Sequence, residues 1–227
     1  MHIPDGYLGP ETCGFFYAIM LPVWIASSRV VKRNLKSKQV PLLAIGAAFS
    51  FVIMMFNVPI PGGSTGHAVG GVLVAILLGP WAACIAITVA LLVQALLFGD
   101  GGITALGANC FNMAFVLVFA GYYIYKAISF KAPIDSKRRV IAAGIAAYAG
   151  INAAAFLTGV EFGLQPLLHR TAAGQPLYCP YGLKVAVPAM LLGHLLIFGW
   201  VEAIITVLVI KYLQKQDPAL LRSGQAL

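Results

Sequence analysis

The sequence predicts an all-α integral membrane protein of seven transmembrane helices, with its N-terminus outside and its C-terminus cytoplasmic. Three observations lead there. Of 227 residues, 60% are hydrophobic and only 10% charged, where a soluble domain carries about 25% charged residues. The apolar residues gather into runs, most of them near the ~20 residues that cross a bilayer. The lysines and arginines are confined to the gaps between particular runs, and they fall on one side of the membrane only if seven crossings are counted.

The first span, 13–33, holds "GFFYAIMLPVWIASSRVV" and runs into Arg29, Lys32, Arg33, Lys36 and Lys38. The second, 40–56, carries "PLLAIGAAFSFVIMMF" and stops before the turn "PIPGGSTG". The third, 67–78, is short ("HAVGGVLVAILL") and poses a choice: it either joins the fourth, 81–98, as one kinked helix or turns back at Gly79 and Pro80. The fifth, 107–126, is followed by Lys126, Lys131, Lys137, Arg138 and Arg139. The sixth, 139–161, contains "AAGIAAYAG", whose small residues at four-residue spacing let another helix approach closely. The seventh, 188–211, precedes Lys211, Lys215 and Arg222. A hairpin at Gly79 and Pro80 puts 13 of the 15 basic residues on one side, whereas six spans split them five against eight. That side is the cytoplasm by the positive-inside rule.

The net charge of +8 is therefore a topology signal, and no nucleic-acid partner is read from it. Cys13, Cys84, Cys110 and Cys179 lack zinc spacing and read as small hydrophobes. No glycine loop with lysine is present to cradle phosphates, so the chain is not expected to be an enzyme, and ATP hydrolysis must come from elsewhere. Residues 1–227 form one membrane domain, with 1–10 as a segment ahead of the first span.

Polar side chains inside spans are functional candidates because lipid penalises them unless they face the bundle interior. On this topology His67, Gln94, Asn109, Asn112 and His194 converge on the outer half, with Ser64 in the adjoining glycine-rich turn. Interhelical hydrogen bonding accounts equally for Gln94, Asn109, Asn112 and the stripe of His194, Glu202 and Thr206. His67 differs because it follows "PIPGGSTG", which brings backbone close to whatever the histidine touches.

The chain begins "MHIPDG". The α-amine of Met1, the deprotonated backbone nitrogen of His2 and its imidazole Nδ1 form fused chelate rings in one plane. His67, on the same side of the membrane, can supply a fourth nitrogen, giving a square-planar site suited to Ni(II) or Cu(II). Ten residues can extend over ~30 Å, enough to plug the outer mouth of the bundle. Pro4 has no N–H and ends the chelating run.

The segments "MHIPDGYLGP", "IPGGSTGHAVG", "QALLFGDGGITALGANCFNMA" and "GHLLIFGWVEAIIT" resemble the CbiM/NikM family, the substrate-binding membrane subunits of energy-coupling-factor importers for cobalt and nickel. The resemblance runs from residue 1 to about residue 210. It implies seven spans, an N-terminal plug, metal ligation by Met1, His2 and His67, and residence in a prokaryotic inner membrane. It also implies a transmembrane coupling subunit, two cytoplasmic ATPases and a small accessory membrane protein as partners. Four nitrogens in a plane favour low-spin d⁸ Ni(II) as the transported substrate, with Co(II) for cobalamin synthesis as the alternative, and no organic cofactor is expected. An intramembrane metallohydrolase is the competing class. It needs histidines one turn apart with a glutamate, and histidines at 2, 67, 169 and 194 do not provide them. A retinal protein needs a mid-span lysine in the last helix, and Lys211 lies at its end.

Overall fold

The computed structural model describes residues 1–35 and 37–223, without the side chains of Lys38, Arg222 and Ser223. Lys36, which the orientation argument counts, lies outside the described residues. The helices are α1 (Pro10–Asn34), α2 (Val40–Met54), α3 (Gly71–Leu78), α4 (Pro80–Phe98), α5 (Leu106–Ile128), α6 (Lys137–Leu168), α7 (Leu183–Gln216) and α8 (Pro218–Ser223). Five of these, α1 and α4 to α7, are long and apolar enough to cross a membrane, and α2 is a shorter apolar helix. The fold is mostly helical, as composition and the long apolar runs predict.

Helix ends follow local chemistry. Proline stands in the first turn of α1, α2 and α4, where its missing N–H has no intrahelical partner to lose. Gly79, at φ +80°, is the one residue between α3 and α4, and only glycine takes that conformation without strain. The two helices pack against each other, so the chain turns back there instead of continuing as one kinked helix.

The helix ends differ from the hydropathy reading in every span, and materially in three. α6 and α7 run beyond 139–161 and 188–211 at both ends, because tertiary contact supports turns that apolarity alone does not. Near their junction a Cβ on Gly163 would lie 2.6 Å from the Cα of Leu183, and one on Gly159 would lie 2.8 Å from that of Val187. Glycine thus lets the backbones touch. The third span departs most, since only its last eight residues, Gly71–Leu78, are helical. Residues 66–70, including His67, are buried but not helical, and α3 itself is ~12 Å long.

Non-helical backbone at membrane depth is tolerated only inside protein with its polar groups satisfied. Glu202 of α7, 1% exposed, meets that need. Its carboxylate accepts the amide of Val69 at 2.7 Å and that of Gly70 at 2.9 Å, capping α3 from a distant helix. Ahead of this stretch the glycine turn forms a small antiparallel hairpin, β1 (Val58–Pro59) and β2 (Thr65–Gly66). Gly62 takes φ +77° at its tip.

Three π-helical turns lie in the long helices, Gln94–Phe98 closing α4, Cys110–Val116 within α5 and His194–Phe198 within α7. Each contains one of the polar candidates, and such turns concentrate at functional sites.

Candidate metal centre

Residues 1–3 are inserted into the bundle, with Met1 and Ile3 fully buried and His2 3% exposed. The apolar side chains of Met1 and Ile3 join the core, which anchors the segment from both sides of His2. Polar contacts set its register. The side-chain amide of Asn109 pairs with Ile3 as a strand would: Ile3 N–H donates to Oδ1 at 2.8 Å, and Nδ2 donates to the Ile3 carbonyl at 3.1 Å. Gly102 N–H donates to the same carbonyl at 2.8 Å, and the Ser64 hydroxyl donates to the His2 carbonyl. Further along, the Asp5 carboxylate accepts the amides of Ile103 at 3.2 Å and Thr104 at 2.8 Å. A Cβ on Gly102 would lie 2.3 Å from Oδ1 of Asp5, so "GDGG" must be glycine at this point to let the segment in. Gln165 accepts the amide of Gly9 at 2.9 Å.

The α-amine of Met1 donates to the Thr65 carbonyl and, at 3.2 Å, to the Thr65 hydroxyl. β2 therefore holds the terminus beside the histidine that follows it in sequence. The rings of His2 and His67 lie 4.5 Å apart at 32°.

Hydrogen bonds fix both tautomers. Gln94 Oε1 lies 3.1 Å from Nε2 of His2; an amide oxygen can only accept, so Nε2 carries the proton and Nδ1 keeps a lone pair. His67 Nδ1 lies 3.0 Å from the carbonyl of Ala68, which by the same argument leaves Nε2 with the lone pair. Both lone-pair nitrogens are buried without a hydrogen-bond partner. Burial pushes the Met1 amine down to about 4 and His2 down to about 3, the neighbouring amine adding to the effect on His2. At neutral pH both groups are uncharged bases, the form in which nitrogen binds a metal.

Asp100 adds the negative charge. Its Oδ1 lies 3.5 Å from Nδ1 of His2, and Asn57 donates to its other oxygen at 2.9 Å. Half-burial raises its pKa while the amine and Asn57 oppose that. A dication held by these nitrogens would find a carboxylate within reach to offset its charge. Among the described residues no three His, Cys, Asp or Glu side chains are placed to hold a metal ion, so a cation here would have to draw on the amine and main-chain nitrogen as well.

Six of the eight sequence candidates thus meet at one place: Met1, His2, Ser64, His67, Gln94 and Asn109. His194 is buried on α7; its Nδ1 donates to the Met190 carbonyl at 2.7 Å, and its Nε2 is buried without a hydrogen-bond partner. Asn112 faces α6 instead, donating to Glu161 at 2.9 Å and Thr158 at 3.2 Å. Thr65, Asn57 and Asp5 are the residues that sequence reasoning missed; Asp100 entered it only within the segment "QALLFGDGGITALGANCFNMA", and Glu202 only within the stripe for which interhelical hydrogen bonding accounts equally. The four cysteines are free and buried, as small hydrophobes are.

Proteins similar to this chain are metal transporters by name. The fused nickel transport protein NikMN of Rhodobacter capsulatus is 57% identical over 226 residues, covering 100% of this chain and 65% of that protein. The probable fused nickel transport protein LarMN of Lactiplantibacillus plantarum is 52% identical over 222 residues, 96% of this chain and 66% of that protein. The chain therefore spans just under two thirds of these fused relatives. A putative metal transport protein of Methanocaldococcus jannaschii is 52% identical, with 99% of this chain and 96% of that one covered. Two solved structures superpose closely. A truncated transition metal transporter has a TM-score of 0.90 at 57% identity, covering 94% of this chain and 98% of that one. A transition metal transporter has a TM-score of 0.91 at 55% identity, covering 99% and 97%. Matched over residues 2–220 by the family described as "CbiM: Cobalt uptake substrate-specific transmembrane region", the chain is a multi-pass membrane protein that belongs to the CbiM family.

Proposed function

We propose that this protein is the substrate-specificity subunit of an energy-coupling-factor importer, with Ni(II) as its cargo. The observation that carries the reading is the burial together of the Met1 amine and the lone pairs of His2 Nδ1 and His67 Nε2, with tautomers set by Gln94 and the Ala68 carbonyl. Deprotonation of the His2 amide adds the fourth nitrogen of a plane. Strong in-plane nitrogen donors favour low-spin Ni(II), whereas Co(II) usually takes further ligands. The nickel names of the fused relatives support the same choice; Co(II) is the alternative. Cu(II) would bind at least as tightly, so its exclusion falls to availability.

On this reading the N-terminus is external, the C-terminus is cytoplasmic, and α3 with the extended stretch before it makes the third of seven crossings. A transmembrane coupling subunit and two ATPases in the cell membrane drive release inward. A small accessory membrane subunit completes the assembly. Purified protein with its native terminus should bind one Ni(II) per chain in equilibrium dialysis. His67→Ala should abolish tight binding, and His194→Ala should leave the stoichiometry unchanged. Equal loss in both, with both folded, would make His194 a ligand and refute the four-nitrogen plane.

A further inference from the structure

Between the start of α1 and the end of α6 lies a cavity of about 590 Å³, lined by none of the candidate metal ligands. Glu161 of α6 lines it and is 5% exposed. Its Oε2 accepts from Asn112 at 2.9 Å, while its Oε1 is buried without a hydrogen-bond partner. No lysine or arginine lines the cavity, and among the described residues Glu161 has no basic partner. In either protonation state one of its two oxygens is unmatched. An ionisable side chain left so inside a membrane bundle is costly and points to a function. At the rim, Glu11 lies 3.7 Å from Nδ1 of His169 and is largely exposed; that carboxylate already has a neighbour, so the unmet demand is at Glu161. The walls around it are apolar. Phe15 and Leu168 line the cavity and are each 60% exposed, so it opens onto the apolar outer surface of the bundle.

We propose that this cavity binds the ammonium group of a phospholipid with a primary-amine headgroup. A carboxyl without a basic partner selects a cation. A metal ion would need several ligands, and among the described residues no three His, Cys, Asp or Glu side chains are placed to hold one. An alkylammonium needs only the one charge-assisted contact, and apolar walls with aromatic rings suit its carbon chain and add attraction for its charge. The level in the membrane points to lipid as its source. α6 has 32 residues and is ~48 Å long, against ~30 Å of hydrocarbon. The apolar span 139–161 ends at Glu161 itself, so the two turns beyond it stand among headgroups while the exposed Phe15 leads down toward acyl chains. The volume falls in the range of about 300–1,000 Å³ that small-molecule sites occupy. Gln165 also lines the cavity and accepts the amide of Gly9 at 2.9 Å, so bound lipid would brace α1 against α6 beside the inserted N-terminal segment.

The test is native mass spectrometry and thermal unfolding of delipidated full-length protein. The probes are phosphatidylethanolamine, phosphatidylcholine, phosphatidylglycerol and hexylamine, each titrated separately. Phosphatidylethanolamine should bind roughly tenfold more tightly than the other two lipids and raise the melting temperature, the worth of one charge-assisted hydrogen bond. Glu161→Gln keeps an acceptor for Asn112 but removes the charge, and should level the three lipids. Leu164→Lys is the decisive variant, because it places an ammonium three residues along α6 from Glu161, within reach of its carboxylate. The lipid-free protein should then be at least as stable as wild type while its preference for phosphatidylethanolamine is lost. Equal binding of the three lipids by wild type, or a preference that survives both substitutions, would overturn the proposal. Stabilisation by hexylamine with no response to phosphatidylethanolamine would overturn it as a lipid site, and so would a dimer in the spectra that Glu161→Gln dissolves, which would seat a second copy of the chain in the cavity.

Discussion

Lowering the pH should eject the N-terminal segment, and the steepness follows from the two buried bases. Outside the bundle the Met1 amine and His2 titrate at their ordinary 8.0 and 6.5; docked, they titrate at about 4 and about 3. The undocked segment therefore binds more protons than the docked one, and docking strengthens as pH rises. It is fully favoured above about 8. Below that, stripping the amine costs about 1.4 kcal/mol per pH unit, so the penalty is about 1.4 kcal/mol at pH 7. Below 6.5 the imidazole adds the same slope. At pH 5 the amine contributes about 4 kcal/mol and His2 about 2, a change near 30,000-fold in the docking equilibrium of metal-free protein. The reporter is the Ile3 amide, which Asn109 binds at 2.8 Å. Its hydrogen-exchange protection factor, normalised for intrinsic rates, should fall about tenfold per unit from pH 8 to 6.5 and about a hundredfold per unit below. Constant protection from pH 8 to 5 would mean that the amine enters as a cation, and the burial argument would fail.

Gln94→Leu frees the tautomer of His2 and should weaken nickel binding about 10–100-fold, the usual cost of losing an outer hydrogen bond to a metal-binding histidine, as read by competition with a chelator; an unchanged affinity would remove Gln94 from the site. Glu202→Gln replaces a carboxylate that accepts from two buried amides, so thermal stability should drop by about 1.5–3 kcal/mol, with nickel binding weakened through His67; a melting temperature equal to wild type would contradict the trans-capping role. A reporter fused after Leu227 should be cytoplasmic and one near Gln175 external, and a shared side would refute the seven-crossing topology.

The candidate chelate at "MHIPDG" could be proposed from sequence because its rings would close within two residues, and His67 because the glycine-rich turn precedes it directly. Gln94 and Asn109 could be placed by depth alone, since both stand near the end of an apolar run. Depth says nothing about rotation, however, and rotation sends Asn112 to Glu161 on α6 while Asn109, one turn earlier, reaches Ile3. Asp100 and Glu202 act across 98 and more than 130 residues of sequence, so no local pattern reveals them. Hydropathy registers residues 67–78 as one apolar run and cannot tell helix from buried extended chain, which is why the break before Gly71 needed the structure.

The terminal amine is the centre of the account, and one added residue tests it. A glycine placed ahead of Met1 turns the amine into an amide and breaks the chelate ring while leaving His2 and His67 in the chain. Visible absorption and nickel stoichiometry at neutral pH should show native protein holding one yellow, diamagnetic Ni(II) per chain and the extended protein holding none tightly. One tightly bound yellow nickel in the extended protein would contradict the account and leave an ordinary histidine site in its place.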